Sequence, residues 1–277
     1  MNTANSSHHA GRYGRRDAIK LGGLSLSVAA LVAACGDDRT GDTAPGRVGY
    51  APPITNPPEY PIDDAVFLRT ASSLELTAIA VYEAILDTGA LDADVTTLVE
   101  RLIENHQAIA DEMGALTEAV GGVAWACTNP WYMDRLITPL LAAVVDSDNP
   151  LRDIINSAVA LENIAAATHQ TLTIELGDAE AAAATIAAAT LESRHSAAIV
   201  SAARGAEGYV SPSITGGETP TDAEGVPLAF AITDRFGSTG QIELVVGAPD
   251  DNGVRQTFVL QTPSLNSWIY NELEPSC

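Results

Sequence analysis

A glutamate and a histidine three residues apart, Glu192 and His195, lie near the C-terminal end of an alanine-rich helical run. On an α-helix this spacing places both side chains on one face, one turn apart. Arg194 falls on roughly the opposite side, so we expect it to point to solvent and the Glu–His pair to point inward. A carboxylate and an imidazole that face a protein core can together hold a metal ion. One such pair recurs by chance, so other helices must direct similar groups at the same place.

Three other predicted helices carry ionisable residues within apolar stripes. The first carries Glu75, the second His106, and the third Glu162 with His169 two turns further on. A lone buried carboxylate is costly unless it is paired or bound to a metal, whereas His106 taken alone fits a hydrogen-bonded core histidine better than a ligand. Ionisable side chains are costly to bury, so their presence on the apolar stripes of four separate helices indicates a shared function. Carboxylate oxygen and imidazole nitrogen suit iron, manganese or zinc.

Four long helices must position these groups. Capping residues and glycine breakers predict them over residues 63–86, 92–120, 149–177 and 178–205. The third begins with Asn149 followed by Pro150, a favourable cap and first helical residue. The long connection before it contains a predicted short helix between Leu136 and Val145. A crossover of this length places the second and third long helices parallel to each other.

The composition changes from about Glu207, where a linker rich in Gly, Pro and Thr begins. Short β-like runs follow at Leu228 to Thr233, Gln241 to Val246 and Val254 to Gln261. Residues 249–253, Pro-Asp-Asp-Asn-Gly, predict a hairpin turn between the last two runs. We expect this extension to pack on the helices through three aromatic residues: Phe230, Phe258 and Trp268.

The N-terminal 35 residues are typical of a targeting segment. Arg15-Arg16 precedes a mildly hydrophobic run from Leu21 to Ala34, as in twin-arginine export signals, and the run is too short to span a bilayer permanently. Because the run ends in a lipobox-like Val-Ala-Ala-Cys, we expect Cys35 to be acylated and to anchor the protein to a membrane of the cell envelope. Ordinary cleavage at an Ala-x-Ala-like site is the alternative. Residues 36–61 predict a flexible tether.

The predicted mature chain is strongly acidic. Residues 1–34 hold four of the 14 basic residues and one of the 36 acidic residues, so 10 basic and 35 acidic residues remain, with a formal charge of −25 and no lysine. Such a surface repels nucleic acid and anionic lipid headgroups. General solubility or salt adaptation explains this acidity better than a cation funnel. The charge therefore argues against nucleic acid as a partner, whereas the expectation of metal ions depends on the Glu and His residues of the helices.

Two cysteines remain if Cys35 carries lipid. Cys127 and Cys277 can pair in an exported protein, which would tie the C-terminus to a mid-chain loop. The sequence does not establish that their Cα atoms come close enough, so the disulfide is a hypothesis at this point.

Three stretches resemble the ferritin-like superfamily, in particular its exported bacterial members. They are Leu74-Glu75 followed by Tyr82, the crossover with Asn129-Pro130, and Glu192-Ser193-Arg194-His195, which matches the fourth-helix Glu-x-x-His motif. The resemblance covers about residues 62–205. It implies a mainly α fold, a ferritin-like four-helix bundle with a long crossover between its second and third helices. A linker and a small C-terminal β-hairpin extension would follow in residues 206–277.

The resemblance also implies a set of metal ligands. In the di-metal members of the family, helices one and three supply one Glu each, and helices two and four supply a Glu-x-x-His each. Carried over to this chain, the ligands are Glu75, His106, Glu162, Glu192 and His195.

The chain departs from that ligand pattern in its second helix. Ile103 stands where the Glu partner of His106 should be, and pairing Glu104 with Gln107 instead places both on a polar face. His169 could substitute, but it lies about 10 Å along the helix axis from Glu162, which is far for a common metal. A dinuclear, a mononuclear and a vestigial site therefore all stay open.

Two functions follow. The first is a metal-binding ferritin-like lipoprotein that sequesters or oxidises iron or a similar ion, with manganese or zinc as the other candidate ions. Ferroxidase activity would need two adjacent metals bridged by carboxylates, and the helix-two carboxylate is missing. The second is a non-catalytic structural or stress-related envelope lipoprotein, in which the same residues form a buried hydrogen-bonded network. The sequence does not indicate the oligomeric state.

Overall fold

A computed structural model describes residues 60–209, 220–231, 241–275 and 277. The protein is mainly helical with a small two-stranded antiparallel sheet. The predicted export signal, the predicted lipidation of Cys35 and nearly all of the predicted tether lie outside the described residues.

Four long helices start at polar caps, as their sequences predict. They are α1 (Asp64–Asp87), α2 (Ala93–Ala119), α4 (Pro150–Glu175) and α5 (Ala179–Arg204), and their bounds lie within about two residues of those predicted. The side chain of each N-cap accepts a hydrogen bond from a backbone N–H of the first turn, which satisfies a donor that the helix cannot. These caps are Asp63, Asp92, Asn149 and Asp178.

The connection between α2 and α4 is partly helical. Pro130–Tyr132, capped by Asn129, leads into a π-helical stretch, Met133–Ile137, and then into α3 (Thr138–Val145). The predicted short helix is thus present, although its first residues are π-helical. The apolar side of α3 is buried in the core through Leu140, Ala143 and Val144.

Two apolar clusters fill the interior, and every long helix contributes to both. One cluster contains Val81, Leu102, Val159 and Ile199, and the other contains Leu68, Met113, Leu172 and Ala184. Along α2 and α4 the first cluster precedes the second, whereas α1 and α5 meet them in the opposite order. Helices α2 and α4 therefore run in the same direction, as the long crossover predicts.

Strands β1 (Gln241–Val246) and β2 (Gln256–Gln261) form the predicted hairpin, with Gln241 opposite Gln261 and Val246 opposite Gln256. Leu244, Val246 and Leu260 are buried in the first apolar cluster, and Phe258 packs against it. The prediction of a β-run at Leu228 to Thr233 is wrong for its described part, since residues 228–231 form no strand. These residues follow a single β-bridge between Thr221 and Pro227. The side chain of Asn156 holds the segment to α4, because it donates to the Pro227 carbonyl oxygen and accepts from the backbone N–H of Ala229.

The segment 264–273, which we term the C-terminal strap, covers the side of α1 that carries Arg69 and Thr70. Arg69 donates to the Leu273 carbonyl oxygen and to Asn271 Oδ1, at 2.5 and 3.3 Å. The backbone N–H of Ile269 donates to Thr70 Oγ1 at 2.9 Å. Arg69 lies off the apolar stripe of α1, yet it is fully buried, because the strap supplies hydrogen-bond acceptors for it.

The loop before α3 joins the strap and α1. Asn129 Nδ2 lies 3.0 Å from both Ser73 Oγ and the Ser267 carbonyl oxygen. A disulfide links Cys127 to Cys277, with their Cα atoms 5.2 Å apart. The two cysteines that the sequence left as a hypothetical pair are therefore bonded, and they close a chain segment of 150 residues.

Helix α1 is long and apolar enough, by length and composition, to cross a membrane, and no other helix in the described ranges is. Its most apolar window is 78% buried within the protein. This burial is typical of the central helix of a folded core.

Candidate metal centre

Six ionisable side chains meet between the two apolar clusters. Each is at most 3% exposed, and all four long helices contribute: Glu75 from α1, His106 from α2, Glu162 and His169 from α4, and Glu192 and His195 from α5. We term these six residues the Glu/His cluster. Because each side chain lies on the same stripe as the apolar residues of its helix, the packing that buries the stripe also carries the polar group inward.

His106 occupies the middle of the cluster. Its Nδ1 lies 2.7 Å from Glu75 Oε2, and its Nε2 lies 3.2 Å from Glu162 Oε1. The other oxygen of Glu75 lies 2.7 Å from His169 Nε2. Glu75 therefore joins an imidazole of α2 to an imidazole of α4.

Glu162 has three hydrogen-bonding partners, His106, Tyr82 and His195. Its Oε1 also accepts from the hydroxyl of Tyr82, and its Oε2 lies 3.1 Å from His195 Nδ1. The ring of Tyr82 stacks on His106 with centroids 5.5 Å apart. Tyr82 thus closes one side of the cluster with both its ring and its hydroxyl.

Glu192 is less completely paired. Its Oε2 lies 3.3 Å from His195 Nδ1, whereas its Oε1 is buried without a hydrogen-bond partner and lies 3.5 Å from His106 Nδ1. A buried carboxylate oxygen without a donor is costly. Glu192 Oε1 is therefore the one carboxylate oxygen among the three glutamates of the cluster that lacks a hydrogen-bond donor.

The charges of the cluster are strongly coupled. Burial disfavours the imidazolium of His106, but Glu162 and Glu75 outweigh burial and raise its pKa to about 10. Burial also disfavours the carboxylate of Glu75, yet His106 and His169 lower its pKa to about 2. Burial, followed by the charges of Glu162 and Glu75, raises the pKa of Glu192 well above its ordinary value. Protons on His106 and Glu192 thus offset part of the negative charge of the cluster when no metal cation is bound.

The donor atoms of the cluster fall into two groups, each compact enough for one ion. The first comprises His106, Glu162, Glu192 and His195, and the second comprises Glu75, His169 and Glu192. Within each group all the donor atoms lie within 4.8 Å of one another. Two ligands on opposite sides of an ion at 2.0–2.3 Å are about 4.0–4.6 Å apart, so small side-chain movements would suffice.

All five ligands predicted from sequence, Glu75, His106, Glu162, Glu192 and His195, lie in the cluster. The distance of His169 from Glu162 does not keep it out of the cluster, because its Nε2 lies 2.7 Å from Glu75 Oε1 and it groups with Glu75 and Glu192 of other helices. Arg194 is exposed, as predicted.

The polar pair on the second helix takes no part in the cluster. Glu104 is exposed and pairs with Arg101, and Gln107 donates to Asp111. Sequence reasoning did not assign a role to Tyr82 or to Asn105, whose Nδ2 lies 3.0 Å from His195 Nε2. The position of Tyr82 on the stripe of Glu75 was the available signal for that residue, and nothing in the sequence marks Asn105.

Comparison of the chain with protein-family models, curated proteins and solved structures finds no match. The geometry of the Glu/His cluster is therefore the basis for assigning a function to this chain.

Proposed function

We propose that this protein binds divalent metal ions in the Glu/His cluster, at two adjacent positions that share Glu192. The observation that carries the proposal is the overlap of the two donor groups at this one carboxylate, whose Oε1 is buried without a partner. A carboxylate can bridge two ions through its two oxygens, whereas a single hydrogen-bond donor would leave one of the two oxygens of Glu192 without a partner. The mixture of carboxylate and imidazole ligands suits iron, manganese or zinc.

The proposal extends to the fold and the cellular setting. The parallel α2 and α4, the long crossover and the Glu-x-x-His motif of α5 support a ferritin-like four-helix bundle. In this chain His169 would take the place of the missing helix-two carboxylate. The twin-arginine sequence and Cys35 support export and lipid anchoring in the cell envelope.

The residues of this chain would hold and shield the ions. The three carboxylates would balance the cation charge, the imidazoles would supply neutral nitrogen ligands, and Tyr82 would exclude water while fixing Glu162. Bound iron would supply one-electron redox chemistry, so iron sequestration or oxidation is the activity that we propose for the loaded centre.

One observation favours a second candidate, a structural protein whose metal site is vestigial. Both ring nitrogens of His106 meet a carboxylate, so a doubly paired imidazolium can hold three helices together without a metal. In that case the network would only stabilise the fold of an envelope lipoprotein.

Metal analysis of the full chain, purified without chelators after folding in its own export host, separates these candidates. We expect about two equivalents of iron, manganese or zinc per chain. Glu192→Gln keeps the shape of the side chain and removes the shared charge, so it should lower metal content to one equivalent or less. Glu100→Gln, an exposed residue of α2, is the matched control and should bind as the wild type does. Metal-free wild type that accepts no added ion would contradict the proposal.

Export and anchoring need a separate experiment. Replacing Arg15 and Arg16 by lysine should retain the protein in the cytoplasm, and Cys35→Ser should release it from the membrane fraction. Unchanged fractionation of both variants would argue against this part of the proposal.

A further inference from the structure

Asn105 lies at the outer edge of the Glu/His cluster. It directly precedes His106 on α2, is half-buried, and its Nδ2 lies 3.0 Å from Nε2 of His195 on α5. This contact occupies the nitrogen of His195 that faces away from the carboxylates. The other ring nitrogen, Nδ1, lies 3.1 Å from Glu162 Oε2 and 3.3 Å from Glu192 Oε2. The ring is therefore held between α2 on its outer side and the carboxylates on its inner side.

We propose that Asn105 is a positioning residue of the metal centre, which holds the ring of His195 so that Nδ1 is the nitrogen presented to the ion. This inference rests on the proposed function of the cluster. Hydrogen bonds to the outer nitrogen of a ligating histidine fix both the ring orientation and the tautomer. In this chain the partner comes from a neighbouring helix, so the contact also sets the position of α5 relative to α2.

An amide suits this position because it can serve both states of the ring. A neutral imidazole has one N–H donor and one acceptor nitrogen. When Nδ1–H donates to Glu162 or Glu192, Nε2 is an acceptor and the amide N–H of Asn105 satisfies it. When Nδ1 gives its lone pair to an ion, Nε2 carries the proton, and the amide oxygen accepts after the amide turns by 180°. Ion binding is thus accompanied by a turn of this one amide.

Other side chains at position 105 would each satisfy fewer of the two tautomers of the His195 ring. An aspartate would accept from Nε2–H but would add a fourth carboxylate to Glu75, Glu162 and Glu192. A leucine of similar size would satisfy neither state and would leave the ring free to rotate. The two substitutions therefore separate hydrogen bonding from packing.

The test measures Zn²⁺ affinity of the full chain by equilibrium dialysis. We expect Asn105→Leu to weaken binding about 10–100-fold, while Asn105→Asp, which keeps the acceptor, binds at least as tightly as the wild type. Asn163→Leu is the matched control, because Asn163 adjoins Glu162 and is half-buried, but its side chain donates to Val159 in its own helix. It should leave the affinity unchanged.

A second measurement does not depend on how well Asn105→Leu folds. Imidazole ¹⁵N spectra of the Zn²⁺-loaded wild type, assigned with a His195→Gln variant, should show His195 protonated at Nε2 and bound to the ion through Nδ1. Protonation at Nδ1, or equal affinities of the wild type and Asn105→Leu, would overturn the role of Asn105 and leave metal binding intact. A wild type that binds no Zn²⁺, Mn²⁺ or Fe²⁺ would overturn the proposed function, and this inference with it.

Discussion

Metal binding to the Glu/His cluster should release protons, because protons balance part of its charge in the metal-free protein. With a pKa of about 10, His106 is protonated at neutral pH, and the raised pKa of Glu192 favours its neutral acid. Glu75, with a pKa of about 2, has no proton to lose. An ion needs both His106 and Glu192 in their deprotonated forms. At a pH below both of these pKa values we therefore expect about two protons to leave for each loaded centre.

The sign of the pH dependence follows from the same competition. As the pH falls, protons reoccupy His106 and Glu192, so the apparent affinity falls, and it falls by about 100-fold per pH unit once the pH is below both pKa values. Titration calorimetry with Zn²⁺ at pH 6, in two buffers of different protonation enthalpy, counts the protons. Glu192→Gln cannot hold a titrating proton there, so its release should drop by about one. Release of no protons, with an affinity that is flat from pH 6 to 9, would refute the assignment of the cluster as the metal site.

The remaining predictions concern the contacts outside the cluster. Cys277→Ser opens a loop of 150 residues and should lower the free energy of unfolding by about 2–5 kcal/mol; reductant should destabilise the wild type equally and leave the variant unaffected. Arg69→Met removes the hydrogen bonds to the strap and leaves their neutral acceptors unpaired, so it should cost about 1–3 kcal/mol in urea unfolding, with faster proteolysis at the C-terminus; unchanged stability would mean that the strap does not depend on Arg69. Asp148 pairs with Arg255 and Arg152, which lower its pKa to about 2; its contribution is therefore present above about pH 4 and is lost as the pH falls through 2. Asp148→Asn should flatten the acid limb of the unfolding curve between those values, and an acid limb identical to that of the wild type would contradict this assignment.

The helices could be predicted from sequence because their signals are local. Asp63, Asp92, Asn149 and Asp178 cap helices that begin within one or two residues of them, since a cap acts on the backbone of its own first turn. Glu75, Glu162 and Glu192 could likewise be placed in the interior, because helical periodicity alone puts each on an apolar stripe.

The partners of these residues could not be predicted in the same way. His169 belongs to the cluster through Glu75 and Glu192, which come from other helices, so its distance from Glu162 along α4 was the wrong measure. Arg69 would be assigned to solvent from its helical position, yet a strap about 200 residues later in the chain covers it. Both contacts join residues that are far apart in the chain, so the periodicity of a single helix could not predict them.

Helix α1 is fixed on both of its sides, and this arrangement explains its unusual composition. On its inner side Glu75 contacts His106 and His169, while on its outer side Ser72 and Ser73 bond to the 125–129 loop. A helix with so little solvent-facing surface needs apolar or small hydroxyl side chains over most of its circumference, because a hydroxyl can donate its hydrogen bond to a carbonyl oxygen of the same helix. The membrane-like hydropathy of α1 is therefore the signature of a central position. A helix held in this way cannot swing outward when the cluster changes its charge. Ions should therefore enter a preformed cluster, with rearrangement limited to side chains such as Glu192 and Asn105.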